Sequence, residues 1–300
     1  MDKILLRHVS FTYKEPGRAS FGALQDISLD IREGEFVCLL GPSGCGKSTL
    51  LSLLMGLNHP DSGTLEIGGK PVKGPGIDRA VVFQHYSLFP WLTVKGNILF
   101  AIRQSERRSG SSRKAASADS AGLSREKQAL TYLHQVGLDD SADKYPAELS
   151  GGMQQRVAIA RALALRSDIL LMDEPFAAVD PKLRRDLQIM IAELSRQEKK
   201  TVVFVTHDID EAILLADRIV VMEPKHIREI VPVEMENRQD RTSSEYLQMH
   251  HRLISLFYSD VEKALDDIGN LDSETADKLR RTERDAKEAA STVEEGGGFI

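Results

Sequence analysis

Cysteine, tryptophan and long apolar runs are all scarce in this 300-residue chain, which has two Cys and one Trp. Cys38 and Cys45 have no metal-ligand partner nearby, so neither a disulfide framework nor a zinc site is expected, and a reducing compartment is the simplest setting. No window approaches the ~20 apolar residues that a membrane-spanning helix needs. The start, Met1-Asp2-Lys3-Ile4-Leu5-Leu6-Arg7, is not expected to be a secretory leader. Any membrane role is therefore expected to come through a partner. Basic excess is also lacking. A net charge of −6 argues against a broad electrostatic grip on nucleic acid. What is present is ordinary for a globular chain, 41% hydrophobic and 28% charged. The length suits one large or two modest domains, at ~100–200 residues each.

Ile4 to Ile31 alternates apolar and polar residues around Pro16-Gly17, which predicts two or more antiparallel strands. Residues 35–40, 64–69 and 79–84 read as further strands, and helical patterning runs from Val94 to about Arg103. Residues 104–125 are rich in Ser, Ala and basic residues and poor in large apolar ones, so a solvated, disordered insertion is expected there. Helices are then predicted over Ser124–Val136, from Ser150 to about Leu165, from Lys182 to about Gln197 and over Ile209–Asp217. Ile169-Leu170-Leu171-Met172 and Thr201 to Thr206 are continuous apolar runs suited to buried strands, and 218–222 and 227–233 close the series. Strands alternating with helices imply a parallel sheet covered on both faces. After about Glu234 the chain is charged. Tyr246 to Ile268 has apolar residues at helical spacing, and from Asp272 onward a solvated helix or disordered tail is expected.

The chemistry begins at Gly41-Pro42-Ser43-Gly44-Cys45-Gly46-Lys47-Ser48-Thr49, directly after the apolar run Phe36 to Leu40. A strand, a glycine-rich turn and a helix start in G-x-x-x-x-G-K-[ST] spacing make a nest of inward N–H groups for a triphosphate. The helix from Lys47 to about Leu57 adds its positive end. Lys47 can reach the β- and γ-phosphates, and Ser48 can join the shell of Mg²⁺. Asp173 and Glu174 end an apolar strand. Asp173 is placed to hold Mg²⁺, and Glu174 to polarise the attacking water as general base. In Leu149-Ser150-Gly151-Gly152-Met153-Gln154-Gln155-Arg156, Ser150 can cap a helix whose glycines leave its N–H groups open to an anion. Both phosphate-seeking helix ends could fold around one nucleotide, or each nucleotide could be clamped between two subunits.

Over roughly residues 3 to 232 this motif series resembles the ATP-binding subunit of an ABC transporter. The resemblance implies an α/β P-loop NTPase fold. Its parts would be a mainly parallel sheet, an N-terminal antiparallel β subdomain, an inserted helical subdomain at about 91–165, and a mostly helical or disordered extension over 234–300. It implies a head-to-tail homodimer with two Mg·ATP sandwiched between copies, so the clamp between subunits is the expected arrangement. Tyr13 resembles the aromatic that stacks on adenine, and Gln84 the glutamine that joins the Mg²⁺ shell and senses the membrane partner. Ser150 and Gly152 resemble contacts to the other subunit's γ-phosphate, Asp180 the aspartate at the subunit junction, and His207 the histidine that bonds the γ-phosphate. Catalysis is thus expected from Glu174, His207, Lys47 and Gln84, with Gly151 in the nucleotide-binding set. Phe176-Ala177-Ala178-Val179 departs from the family's usual Ser or Gly with Ala-Leu before the aspartate, and the insertion at 104–125 falls where the helical subdomain meets its membrane partner.

The stretch Gln84 to Val94, with Pro90-Trp91 and then Asn97, resembles importers of nitrate, aliphatic sulfonates and taurine. The resemblance implies a transmembrane permease partner, an extracytoplasmic solute-binding protein acting indirectly, and a peripheral place on the cytoplasmic face of the inner membrane. Two other readings are a soluble ABC-type ATPase and a catalytically silent regulatory module. The single cassette without a basic groove argues against the first, and intact Lys47, Asp173, Glu174 and His207 against the second.

Overall fold

Apolar runs without polar interruption become the middle of a six-stranded sheet. In this computed structural model, which describes residues 2–14, 17, 20–108 and 118–268, β3 (Phe36–Leu40) and β8 (Thr201–Thr206) are buried along their whole length. Strands covered on both faces have no solvent side to alternate toward. β1 (Asp2–Tyr13), β2 (Phe21–Arg32), β4 (Ser62–Ile67) and the two-residue β5 (Lys70–Pro71) form a separate antiparallel sheet of order β2-β1-β4-β5. The larger sheet adds β6 (Arg79–Val82), β7 (Ile169–Asp173), β9 (Arg218–Glu223) and β10 (His226–Pro232) in the order β10-β9-β3-β8-β7-β6. All its pairs are parallel except the β9–β10 hairpin at one edge. Five parallel strands, β9, β3, β8, β7 and β6, therefore end at one rim, where ligands of open α/β sheets bind.

Helix α1 (Lys47–Met55) is buried on nearly every side, with Leu50, Leu51, Leu53 and Leu54 fully buried. It packs against β2 on one side and β7 and β8 on the other, so one core joins both sheets. α2 (Val94–Arg108), α3 (Ala118–Gln135) and α4 (Gly151–Ala164) pack on one another as a helical group. α5 (Pro181–Gln197) and α6 (Ile209–Leu215) follow β7 and β8. α6 stops before the expected Asp217 because Ala216 turns extended while its N–H still reaches the Ala212 carbonyl.

The insertion differs from expectation. Residues 104–108 and 118–125 are helical, and 109–117 lie outside the described residues. Glu106 and Arg125 are ion-paired at 2.8 Å between α2 and α3, and Ser105 is buried, so the packed helices extend into the polar stretch. At the other end, the first compact unit of the chain runs to His250. Arg238 donates to the carbonyls of Ala216 at 2.6 Å and Val233 at 3.0 Å, which ties the start of the charged segment to the first unit. α7 (Ser244–Ile268) is one helix, and the charged tail expected beyond Asp272 lies outside the described residues. No described helix is long and apolar enough to cross a membrane.

Candidate nucleotide site

The turn after β3 is held open by backbone geometry that side chains resist. Gly44 and Gly46 take φ of +79° and +112°. A Cβ on Gly46 would also lie 2.8 Å from the Ala23 carbonyl oxygen, and one on Gly41 2.5 Å from that of Met222. These approaches require glycine independently of any ligand. Lys47 folds back over the turn, its Nζ donating to the carbonyls of Gly41 at 2.6 Å and Pro42 at 2.7 Å. The charge is buried yet hydrogen-bonded, and it stands beside the free N–H groups that open α1. Cys45 sits behind the turn. Burial pushes its thiol up, and Lys47 opposes that shift.

Gln84, Glu174 and His207 from the other strand ends meet this turn. With Ser43, Gly44, Gly46, Lys47, Ser48, Thr49, Phe21 and Ala23 they line a cavity of about 460 Å³. Ser48 Oγ donates to Asp173 Oδ1 at 3.2 Å. Burial pushes the Asp173 carboxyl up and the neighbouring Glu174 adds to it, while the Ser48 hydrogen bond opposes. Glu174 leaves the strand geometry, with φ at +42°, and its N–H bonds the Val205 carbonyl at 3.0 Å. That left-handed turn, rather than strand alternation, separates the two carboxylates. It brings Glu174 Oε1 to 3.2 Å from His207 Nδ1. A non-glycine residue at positive φ is uncommon and costs energy, and such positions cluster at functional sites.

Hydroxyl and carboxylate oxygens are the donors Mg²⁺ takes, with water and phosphate oxygens completing its shell. Ser48 and Asp173 fit that role, and no group of three or more His, Cys, Asp or Glu that could hold a metal occurs among the described residues.

A family model described as ABC transporter matches residues 24–177. An uncharacterized ABC transporter ATP-binding protein of Methanocaldococcus jannaschii is 44% identical over 248 residues, covering 81% of this chain and 87% of that protein. The chain belongs to the ABC transporter family. A bicarbonate transport ATP-binding protein of Synechocystis sp. is 38% identical, covering 85% of this chain and 89% of that one. A nitrate import ATP-binding protein of Synechococcus elongatus is 47% identical over 216 residues, 72% of this chain but 31% of that longer protein. Among solved structures, a dimeric bacterial ABC transporter cassette superposes with a TM-score of 0.68 at 35% identity, covering 77% of this chain and 99% of that one. A dimeric post-hydrolysis cassette bound to ADP and Pi gives 0.67 at 34% identity, with the same coverage.

In this ABC ATP-binding domain, several residues picked from the sequence stand apart from the cavity. Ser150 caps α4, accepting from the Met153 N–H at 3.3 Å, and Asp180 caps α5, accepting from the Leu183 N–H at 3.1 Å. Neither lines the cavity, nor do Gly151 and Gly152. Their glycines answer first to packing. A Cβ on Gly151 would meet the Tyr86 hydroxyl at 2.5 Å, and one on Gly152 the Ala178 carbonyl oxygen at 2.6 Å. Because the Ala178 contact is backbone, Gly152→Ala is expected to cost about 1–3 kcal/mol and lower the thermal midpoint by roughly 3–10 °C. Differential scanning fluorimetry checks this, and an unchanged midpoint would mean the loop shifts freely.

Tyr13 is set back from the cavity, its hydroxyl 3.3 Å from Thr49 Oγ1 and its ring edge-on to Phe11. Its cross-strand partner Phe21, 57% exposed, lines the cavity instead. The hairpin signal at Pro16-Gly17 could have paired the two, but only the register does so. Gln155 was also missed. Buried in α4, it donates to the Phe83 carbonyl at 3.4 Å and so ties that helix to the residue before Gln84.

Proposed function

We propose that this chain is the ATP-hydrolysing subunit of an importer for nitrate, aliphatic sulfonate, taurine or a related small solute. Two copies bind two Mg·ATP between them, head to tail, at the cytoplasmic face of the inner membrane. They drive a transmembrane permease that is fed by an extracytoplasmic solute-binding protein. Nucleic acid has no part in the cycle.

The observation that carries the reading is the convergence of the Lys47 turn, Gln84, Glu174 and His207 on one cavity, while the capped Ser150 helix end stays outside it. A second phosphate-seeking end that does not face its own cavity is free to face another copy's. Each residue then has a task. Lys47 and the turn bind the phosphates, while Ser48, Asp173 and Gln84 would hold Mg²⁺, which would supply positive charge against the triphosphate. Glu174 takes the proton of the attacking water, and His207, beside it, bonds the γ-phosphate and orients that carboxylate. Phe21 joins Tyr13 in covering the adenine. Ser150, Gly151, Gly152 and Asp180 complete the partner's site. ATP favours the closed pair only through contacts that the open pair lacks.

The permease contact is drawn at Trp91. It is 71% exposed, on a turn organised by fully buried Asn97. Asn97 accepts from the Phe89 N–H at 2.9 Å and donates to the carbonyls of Phe89, Leu92 and Thr93. Phe89 packs against Trp91 and Phe100, with the Arg161 guanidinium 5.3 Å over its ring. A rigid, exposed aromatic on a fixed turn suits an interface better than a core. Extraction in mild detergent should recover the chain with a multi-span permease. Trp91→Ala should lose that partner at least tenfold, a cost of ≥ ~1.4 kcal/mol, with an unchanged thermal midpoint. Recovery of the wild-type chain with no membrane protein would overturn the transport reading.

A further inference from the structure

We infer that Tyr246 and Arg241, acting through Asp210, are positioning residues for His207 in ATP hydrolysis; the inference rests on the function proposed above. α6 is a seven-residue helix that begins two residues after His207. So short a helix does not hold itself in water. Its inner side is fixed by the residues around the cavity. Asp208 caps it, accepting from the Glu211 N–H at 3.1 Å, and the Asp208 N–H donates to Thr206 Oγ1 at 3.0 Å. Buried Glu211 accepts from the Thr206 hydroxyl at 2.7 Å and from Gln188 Nε2 at 3.0 Å. Glu211 also lines a small cavity of about 130 Å³ together with Glu174, Arg184 and His207. His207 itself is 62% exposed, so packing does little to place it.

The outer side of α6 is held from residues 238–250. The Tyr246 hydroxyl donates to Asp210 Oδ1, and Arg241 pairs with Asp210 Oδ2 at 2.9 Å. His250 stacks on the Tyr246 ring, its Nε2 3.7 Å from Asp210. Tyr246 is 4% exposed, and Asp240 and Ser243 organise the turn that delivers it. Burial first, and then Asp210, push the phenol up, which keeps its proton on the donating oxygen. Arg238 meanwhile holds the Ala216 carbonyl just past the end of α6. The segment thus grips α6 at both ends, and α6 in turn carries the backbone that aims His207 at Glu174.

The test, in the full chain, is Tyr246→Phe, which removes one hydroxyl and keeps the ring, beside Asp210→Asn, which keeps an acceptor for Tyr246 and removes the charge that Arg241 pairs with. Measured with Mg·ATP, kcat should fall roughly 5- to 20-fold, as small misplacements at a reacting centre do. KM and thermal midpoint should stay near wild type. Amide exchange over 209–215 should speed up in the same variants. Wild-type kcat and exchange in Tyr246→Phe would overturn the inference, as would a fall in kcat that comes with a parallel rise in KM and loss of thermal stability. A wild-type chain that does not hydrolyse ATP would instead remove the proposed function itself.

Discussion

Glu174→Gln is expected to lower ATP turnover by ~10²–10⁴, the usual contribution of a general base, while leaving ATP binding intact. The substitution keeps length and shape. The backbone at residue 174 is pinned by its N–H to the Val205 carbonyl and by its left-handed φ, neither of which depends on the carboxylate charge. An amide oxygen can still accept from His207, now 3.2 Å from the carboxylate. What is lost is basicity alone. If ATP is sandwiched between copies, hydrolysis is also what reopens the pair. Glu174→Gln with Mg·ATP should therefore run as a stable dimer on size exclusion with light scattering, where the wild type dimerises only transiently. Phosphate release checks the first half and mass the second. Wild-type turnover in the variant would assign the base elsewhere. A monomer that retains ATP would refute the shared site while leaving the base assignment standing.

Lys47→Ala should lower ATP affinity by about 10²–10³, equivalent to ~3–4 kcal/mol. Lys47 is 5% exposed, and its ammonium sits between two carbonyls of its own turn. Its removal leaves the Gly41 and Pro42 oxygens without that donor and takes away the one Lys or Arg among the described residues that line the cavity. Lys47→Arg should not rescue binding, because the planar fork is too wide for a point charge's place between two adjacent carbonyls. Titration calorimetry with ATP decides it. An affinity within threefold of wild type would mean that the backbone nest alone holds the triphosphate.

The residues that made these two expectations were legible without coordinates. Lys47 lies in a glycine spacing with few other uses, and Glu174 ends an apolar run too short for a helix and too continuous for a surface strand. Strand ends in a parallel sheet collect at one rim, so order along the chain already implied that Gln84, Asp173, Glu174 and His207 meet. Other features depended on partners that no local pattern names. Asn97 was visible as part of a signature, but its four hydrogen bonds to the Trp91 turn were not. The polar composition of 104–125 hid helix ends held by Glu106 and Arg125 across α2 and α3. The apolar spacing after Tyr246 predicted a helix, but not that its first turn bonds to Asp210.

Alone, the amino-acid order determined the parallel sheet, the glycine turn after β3 and which polar residues end its strands, because each depends on short-range spacing and on burial of continuous apolar runs. Tertiary structure decided which neighbour each polar side chain serves. It placed Phe21 rather than Tyr13 in the cavity wall, gave Gly151 and Gly152 a packing reason, and bound residues 238–250 to α6. Those choices rest on strand register and on hydrogen bonds between distant segments, whose partners are selected by geometry at about 3 Å and not by distance along the chain.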